Sequence, residues 1–296
     1  MTSTTSSTSS KRAPKGPRRA AAPAVGLVGV GRLGSYVLHR LRRRGVAVQA
    51  RRGDLAALAR TRLVYLCVPE DRLRGLAVEL AQAWAGGARP RVVLHAAGHL
   101  GADVLAPLAT LGIATGVLHP MRAFSHRAAG QHVRAVQNCW TCAGAAEARR
   151  HARRLVRVLE PRAQVWERSD DARSRRLYHA GCVLANNGGL ALHQLAARLL
   201  VRGGLAPRAA DQGAAALLNS AVFRGARQAV IPGEVQLRGP LARGQHDVVE
   251  QHLRALRGDA LTAQAYRSLS LVLLELARQG RKLDAGTLAR FQRLLR

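Results

Sequence analysis

Aromatic and acidic residues are both scarce in this sequence. Phe, Trp and Tyr make up 3% of its 296 residues, which argues against a platform on which nucleic-acid bases stack. Asp and Glu number 17 against 47 Lys and Arg, so the net charge is +30. Lysine is scarce as well, at positions 11, 15 and 282, and arginine supplies the other basic residues. Because the arginines occur in every segment, we expect non-specific attraction to polyanions rather than a dedicated nucleic-acid surface.

The sequence has only four cysteines, Cys67, Cys139, Cys142 and Cys182, and no signal peptide. Both features indicate a reduced, cytoplasmic protein. Cys139 and Cys142 are spaced as a C-x-x-C pair, but the surrounding run looks extended, and residues three apart on a strand face opposite sides. We therefore expect core cysteines rather than a redox or zinc site, and no metal cofactor.

The most informative motif is a glycine-rich turn near the N-terminus. A short apolar run, 24–28, has the pattern of a buried strand, and Gly29, Gly31 and Gly34 follow it at G-x-G-x-x-G spacing before a helical pattern. Gly29 suits a tight turn, Gly31 the approach of a pyrophosphate, and Gly34 close packing of helix on strand. The start of that helix offers free N–H groups to phosphates. This arrangement predicts a dinucleotide site, and the alternative is a glycine-rich turn that binds nothing.

The residues after the second predicted strand, 46–50, bear on the choice of cofactor. In this fold the end of that strand faces the adenosine ribose, where an acid suits the 2′-hydroxyl of NAD and an arginine suits the 2′-phosphate of NADP. The sequence has Arg51 and Arg52 at this point, with Asp54 close by. We therefore expect NADP as the cofactor and NAD as the less favoured alternative.

Strands and helices alternate over the first half of the chain. Strands are predicted near 24–28, 46–50, 63–68, 91–95, 116–120, 135–142 and 164–166. This alternation indicates a parallel sheet with right-handed crossovers.

Only helical patterns follow from about residue 170 onwards. They cover 172–201, 207–218, 246–256, 262–279 and 285–295. The uncharged stretch 178–197 contains Asn, His and Gln and is too polar for a membrane span. The fold class is therefore α/β, a Rossmann-type parallel-sheet domain (23–168) followed by an all-helical domain (169–296). Residues 1–22, rich in Ser and Thr and then in Lys, Arg and Pro, are expected to form a disordered basic tail.

Several short strings, taken in chain order with the glycine turn, resemble one bacterial family of Rossmann-like proteins. That family has a helical C-terminal domain of unknown function and is similar to deazaflavin-dependent NADP oxidoreductases. More distantly, it is similar to pyrroline-carboxylate reductase, ketopantoate reductase and 6-phosphogluconate dehydrogenase. The strings are Val68-Pro69-Glu70-Asp71, His95-Ala96-Ala97-Gly98, His119-Pro120-Met121-Arg122-Ala123-Phe124, Tyr178-His179-Ala180 and Gly239-Pro240-Leu241-Ala242-Arg243-Gly244.

The resemblance covers roughly residues 24–258 and implies an NADP-dependent oxidoreductase. We also expect a homodimer through the helical domain, because the uncharged stretch 178–197 suits a helix at a subunit interface. Three positions depart from the family pattern. Ala97 stands where a small hydroxyl residue is usual, Arg238 where Thr is usual, and Gln245 where Asp is usual. The substrate is not implied, because the family is similar to enzymes with different substrates.

Polar residues at strand ends and on the long helix are the candidates for chemistry. His95 and His119 end two neighbouring predicted strands, and ligands in such sheets lie beyond the carboxyl ends of strands. His179 and Asn186 are seven residues apart and so share one helical stripe. A histidine can polarise and protonate a carbonyl or imine, and an arginine such as Arg243 can hold a carboxylate.

These residues give the following assignment. The catalytic candidates are His119, His179, Asn186, Asn187 and Arg243. The cofactor-binding candidates are Gly29, Gly31, Arg32, Leu33, Gly34, Arg51, Arg52, Val68, Pro69 and His95. The expected function is NADP-dependent reduction of a small, carboxylate-bearing carbonyl or imine in a cleft between the two domains. The alternatives are an inactive nucleotide-binding sensor or scaffold, and a basic nucleic-acid-associated protein.

Overall fold

The computed structural model describes residues 24–51, 55–124, 138–227, 237–280 and 283–296. The predicted tail at 1–22 lies outside these residues, as do Arg52, Asp54 and the beginning of the strand predicted at 135–142. The side chain of Arg51 also lies outside the description, although its backbone is included.

The first half of the chain forms a seven-stranded sheet in the order β2-β1-β3-β4-β5-β6-β7. The strands are β1 Val25–Val28, β2 Val48–Arg51, β3 Leu63–Leu66, β4 Val92–His95, β5 Ala114–Pro120, β6 Cys139–Gly144 and β7 Gln164–Glu167. Every neighbouring pair is parallel except β5 and β6, which are antiparallel. The predicted Rossmann-type α/β fold is confirmed, but the expectation of a sheet parallel throughout is wrong at this one pair.

Helices cover both faces of the sheet and build two apolar cores. Helices α1, Arg32–Arg43, and α4, Ala146–Leu159, contribute to a core that contains Trp140 and Cys142 of β6. Helices α2, Leu73–Trp84, and α3, Ala106–Ala109, contribute to the core on the opposite face. Cys142 therefore lies in the core, as expected, and burial raises the pKa of its thiol.

The long helical pattern predicted at 172–201 is interrupted. Helix α5 spans Ala172–Val183, a π-helical turn spans Leu184–Gly188, and helix α6 spans Gly189–Arg202. A π turn closes its hydrogen bonds at i→i+5 and holds more residues than an α turn. The spacing of seven therefore does not place His179 and Asn186 on one regular stripe, and that expectation is corrected.

By its internal contacts the chain divides into two compact units, one ending at Asn186 and the other beginning at Asn187. The predicted limit between the functional domains, near residue 168, stays a prediction. The second unit contains helices α6, α7 Pro207–Arg227, α8 His246–Ala255, α9 Ala260–Gln279 and α10 Ala285–Leu295. Its described core is formed by Leu241, Val249, Leu253, Leu274, Phe291 and Leu295. None of the helices in the described ranges is long and apolar enough to cross a membrane.

Candidate functional site

The glycine-rich turn has the geometry that its spacing predicts at two of its three glycines. Gly29 has φ +88°, and a Cβ built on it would lie 2.5 Å from the carbonyl oxygen of Cys67. A Cβ on Gly34 would overlap the carbonyl oxygen of Gly29. Both positions are therefore restricted to glycine by the protein's own backbone, which brings α1 directly onto the turn.

Gly31 differs from the other two because the fold does not require glycine there. It has φ −66° and precedes the first residue of α1, and a Cβ on it would have no described protein atom within 4 Å. No side chain caps this helix start, and its first turn contains no acidic residue. The open backbone and the uncapped N–H groups of Arg32 and Leu33 fit an anion such as a pyrophosphate.

The carboxyl ends of four parallel strands meet at one edge of the sheet. Val28, Leu66 and His95 lie in register across β1, β3 and β4, and β5 pairs Val117 with His95 and continues to Pro120. Val68 and Pro69 follow β3 next to the glycine turn, and a Cβ on Gly29 would contact the Val68 side chain. With strands about 4.8 Å apart, Val117 of β5 lies roughly 14 Å across the sheet from Val28, and His119 lies two residues farther along β5.

His95 is buried at this edge, and both of its ring nitrogens contact backbone groups. Nε2 donates a hydrogen bond to the carbonyl of Gly101 (2.9 Å), and Nδ1 accepts one from the N–H of Ala97 (3.2 Å). Burial lowers the pKa of His95 to about 4, so the ring is neutral at neutral pH. The His95 side chain therefore fixes the loop after β4. Because both of its ring nitrogens are engaged, a cofactor would contact the residues around His95 rather than the ring itself. The methyl group of Ala97 is itself buried in the sheet core.

His119, at the end of β5, belongs to a chain of hydrogen bonds that sequence inspection missed. Its Nδ1 lies 2.6 Å from the hydroxyl oxygen of Tyr178 on α5, and the hydroxyl of Thr141 on β6 donates to the same oxygen (2.9 Å). The two rings meet edge to face, with centroids 5.7 Å apart. Three elements distant in sequence therefore converge on one phenol.

The protonation states in this chain follow from burial. Burial raises the pKa of Tyr178, so its hydroxyl keeps its proton. With Thr141 donating to the same oxygen, the Tyr178 hydroxyl is able to donate to Nδ1 of His119. Burial, with His179 and Arg168 nearby, lowers the pKa of His119 to about 4. His119 is thus neutral, and with Tyr178 as the donor to Nδ1 its proton lies on Nε2. Within the described part of the chain, Nε2 has no hydrogen-bond partner.

Gly98, in the loop after β4, lies against the ring of His119. A Cβ built on Gly98 would lie 2.9 Å from Nε2 and 3.0 Å from the neighbouring ring carbons. The position needs glycine because of this approach rather than because of a left-handed backbone. The glycine of the string His95-Ala96-Ala97-Gly98 thus makes room for the imidazole.

His179 is half-buried on α5 and packs beside a second histidine. Its ring centroid lies 5.2 Å from that of His99, and Nδ1 of His99 lies 3.0 Å from a carboxylate oxygen of Glu70. His179 is the residue after Tyr178, whose hydroxyl oxygen lies 2.6 Å from Nδ1 of His119. The structure therefore brings two of the predicted catalytic residues, His119 and His179, together.

The remaining catalytic candidates lie in or beyond the π turn. Asn186 and Asn187 are exposed on this turn. Arg243 ends a short 3-10 turn of the second unit, and its Nε donates to the side-chain oxygen of Gln245 (3.0 Å).

A second polar cluster joins α1 to the segment that follows β5. The buried carboxylate of Glu160 accepts hydrogen bonds from Tyr36, from Arg122 (2.8 Å) and from the indole of Trp140 (3.0 Å). The Arg122 guanidinium also lies 4.5 Å from the ring centroids of Tyr36 and Phe124. This cluster holds the segment after His119 against the helix that begins at the glycine turn.

Two family models match separate parts of the sequence. A Rossmann-like domain matches residues 53–120, and a domain of unknown function, DUF2520, matches residues 138–272. A search of curated proteins gives no match.

Solved structures match along most of the chain. A protein from Thermotoga maritima has 18% identity and a TM-score of 0.62, covering 87% of this chain and 99% of its own. An imine reductase from Streptomyces aurantiacus has 17% identity and a TM-score of 0.56, with coverages of 92% and 99%. An imine reductase from Aspergillus terreus, in complex with NADPH4 and a dibenzazepine, has 16% identity and a TM-score of 0.57, with coverages of 91% and 99%. At these identities the likeness shows the fold.

Proposed function

We propose that this chain, a Rossmann-like protein with a DUF2520 domain, is an NADP-dependent oxidoreductase that reduces a small carbonyl or imine compound. One observation carries the proposal: the open backbone at Gly31 and the imidazole of His119 lie at the same carboxyl edge of the sheet. The Gly31 backbone fits a phosphate, and a proton on Nε2 of the imidazole fits a basic oxygen or nitrogen atom of a substrate. The imine reductases with this fold support the same reaction class.

The residues present fit a dinucleotide at this edge. Gly29, Gly31 and Gly34, with the N–H groups of Arg32 and Leu33, would hold the pyrophosphate. Val68 and Pro69 would contact the middle of the molecule, and the loop fixed by His95 would border its nicotinamide end. When bound, the reduced cofactor supplies the hydride. Gly31 supports this fit. A side chain at this position would meet no described protein atom, so the fold does not require glycine here, whereas a bound pyrophosphate would need the open space.

The chain's own residues would supply the proton. Nε2–H of His119 donates to the substrate oxygen or nitrogen, which makes the neighbouring carbon more electrophilic and delivers the proton as the substrate is reduced. Tyr178 and Thr141 hold the ring in the tautomer that this step needs. His179 is the second candidate donor. Asn186, Asn187 and Arg243 remain predicted contacts that orient the substrate and hold its carboxylate.

A turnover assay tests this function directly. The full chain is incubated with NADPH and a panel of small ketones, aldehydes and cyclic imines, with and without a carboxylate, and the decrease in NADPH absorbance is followed. We expect one or more members to be reduced. NADPH binding without turnover on any member favours the sensor alternative, and no binding at all contradicts the proposal.

The choice of NADP over NAD gives a separate prediction. Changing both Arg51 and Arg52 to Ala is expected to weaken NADPH binding by roughly 1.5–3 kcal/mol for each arginine–phosphate hydrogen bond that is removed, and to leave NADH binding nearly unchanged. The measurement is a calorimetric titration of each cofactor into the wild type and the variant. An equal decrease in affinity for both cofactors would show that the arginines act through general charge.

We also propose that the chain forms a homodimer through its helices. Large apolar side chains are exposed on four helices and on the π turn, and exposed apolar surface of this kind is typical of an interface between protein chains. They include Leu177, Leu184, Leu190, Leu217, Val222, Leu261 and Val272. We propose in addition that the protein is cytoplasmic, a compartment in which thiols such as those of Cys67 and Cys182 stay reduced.

Charged substitutions test the dimer. Leu190→Asp together with Leu217→Asp is expected to convert a dimer into a monomer in sedimentation experiments, because both side chains are more than 60% exposed on α6 and α7. Val78→Asp on α2, also exposed, is the matched control and should leave the dimer intact. A wild type that sediments as a monomer would refute the dimer.

A further inference from the structure

We propose that Arg168 is a positioning residue for proton transfer, and that its guanidinium balances the negative charge left on Tyr178 when the Tyr178 proton passes to His119. This inference rests on the proposed function, because it assigns a role in the same proton-transfer step. Arg168 directly follows β7, and neither the strings nor their spacing indicates it.

Arg168 lies beneath the phenol and ties it to the loop after β4. Its side chain is 9% exposed, and its guanidinium carbon lies 4.9 Å from the centroid of the Tyr178 ring. The same group donates to the carbonyl oxygens of Gly98 (3.3 Å) and Leu100 (3.4 Å), and also to that of Ser169 (3.1 Å). One side chain therefore fixes both Tyr178 and the loop whose glycine lies against His119.

The charge of Arg168 is only partly offset by its surroundings. Its described hydrogen bonds go to neutral carbonyl groups, and the carboxylate of Asp170 is 3.8 Å from its NH1 atom. Asp170 lies equally far from Arg175 and accepts a hydrogen bond from the N–H of Ala102. A cation that is held by neutral carbonyls and is only 9% exposed acts on its neighbours with little screening.

The proton transfer from Tyr178 to His119 leaves a negative charge on Tyr178, which a nearby cation would balance. The Nε2–H bond of His119 breaks as its proton goes to the substrate, while the O–H bond of Tyr178 breaks and that proton goes to Nδ1. His119 remains neutral as the other tautomer, and Tyr178 becomes a phenolate until water returns a proton. Thr141 donates a hydrogen bond to the phenolate oxygen, and Arg168 supplies the opposite charge.

The pKa of Tyr178 distinguishes this role from a packing role. Removing the Arg168 cation raises the pKa of both Tyr178 and His119. The cation stabilises the negatively charged phenolate of Tyr178 and disfavours the positively charged form of His119, and both effects are lost with it. Loosening the packing instead raises the pKa of His119 and lowers that of Tyr178, because burial shifts them in opposite directions. The other titratable or charged groups around the pair are His95, His179, Cys182, Asp170 and Arg175.

The experiment uses the full chain without cofactor. A fluorinated tyrosine, whose phenol is more acidic, replaces Tyr178 and is titrated by fluorine NMR, while His119 is titrated by its ring resonances. Arg168→Gln, which keeps an amide donor, removes the charge, and Arg168→Lys keeps it. Arg175→Gln is the matched control, because Arg175 pairs with Asp103 and no described hydrogen bond or cation–π contact joins its side chain to Tyr178.

Arg168→Gln is expected to raise the pKa of both residues by about 1 unit, a tenfold change in each proton-dissociation constant. Arg168→Lys and Arg175→Gln should change the pKa of Tyr178 by much less. A Tyr178 pKa that falls or stays constant in Arg168→Gln overturns the proposal. If Arg168→Gln does not fold, Arg168→Lys still tests the proposal. A shift of a full unit in the pKa of Tyr178 with the positive charge retained would contradict a charge role.

These titrations need neither NADPH nor substrate, so their failure differs from a failure of the proposed function. In the turnover assay, Arg168→Gln is expected to lower kcat by about tenfold or more and leave KM for NADPH nearly unchanged. If no substrate is reduced but the titrations behave as expected, the charge coupling stands and the reductase assignment fails.

Discussion

Replacing Gly31 with Val is expected to abolish dinucleotide binding without unfolding the protein. The fold tolerates a side chain here because a Cβ would have no described atom within 4 Å, and the backbone angles suit any residue. The valine would occupy the space that a pyrophosphate needs at the start of α1. We expect NADPH affinity to fall at least about a hundredfold, roughly 2.7 kcal/mol, at an unchanged melting temperature. Calorimetric titration and thermal unfolding provide the two measurements.

Gly34→Ala is the matched control in the same turn. Its methyl group would overlap the backbone of Gly29, so this variant should lose stability first and cofactor binding as a consequence. The two glycines thus separate a binding role from a packing role. A Gly31→Val variant that binds NADPH as tightly as the wild type would remove the basis for a dinucleotide site.

Replacing His119 with Ala is expected to lower turnover by about a hundred- to ten-thousand-fold, the range for loss of a general acid. The residue supplies the proton on Nε2, and no other described group shares its position against Gly98. NADPH affinity should stay within about twofold, because the side chain is expected to face the substrate. Steady-state kinetics with a substrate found in the turnover assay, and calorimetric titration of NADPH, measure the two effects.

Tyr178→Phe and His39→Ala refine this result. The phenylalanine keeps the ring over Arg168 but removes the hydroxyl that fixes the tautomer, so we expect a smaller decrease in kcat. His39 is exposed on α1 and serves as the histidine control. Should His119→Ala retain most of the wild-type kcat, His179 would become the leading donor.

The sequence was sufficient for the sheet and for the glycine turn because both depend on local patterns. Apolar runs and helical periodicity placed each strand to within a few residues, and the roles expected of Gly29 and Gly34 follow from neighbouring backbone. The direction of β6 was not predictable in this way. A strand's own pattern does not say whether its partner runs parallel or antiparallel to it, and β5 and β6 are the exception in an otherwise parallel sheet.

The candidate site was only partly predictable because its central contacts join residues far apart in the chain. His119 was recognisable as a strand end, but its partners Thr141 and Tyr178 come from two other elements. Arg168 resembles any other arginine in a chain so rich in them, and only its burial distinguishes it. The π turn also leaves no simple trace in the spacing of apolar residues, so the supposed stripe joining His179 to Asn186 was wrong.

The most direct test of dinucleotide binding is a calorimetric titration of NADPH into the wild-type chain at low and at high salt, with inorganic polyphosphate titrated in parallel. We expect saturable binding of one NADPH per chain that persists at high salt, because N–H groups and shape hold the dinucleotide. Polyphosphate binding should disappear under the same conditions, since a net charge of +30 attracts it mainly through screened electrostatics. NADPH binding that declines with salt in step with polyphosphate would contradict a built dinucleotide site.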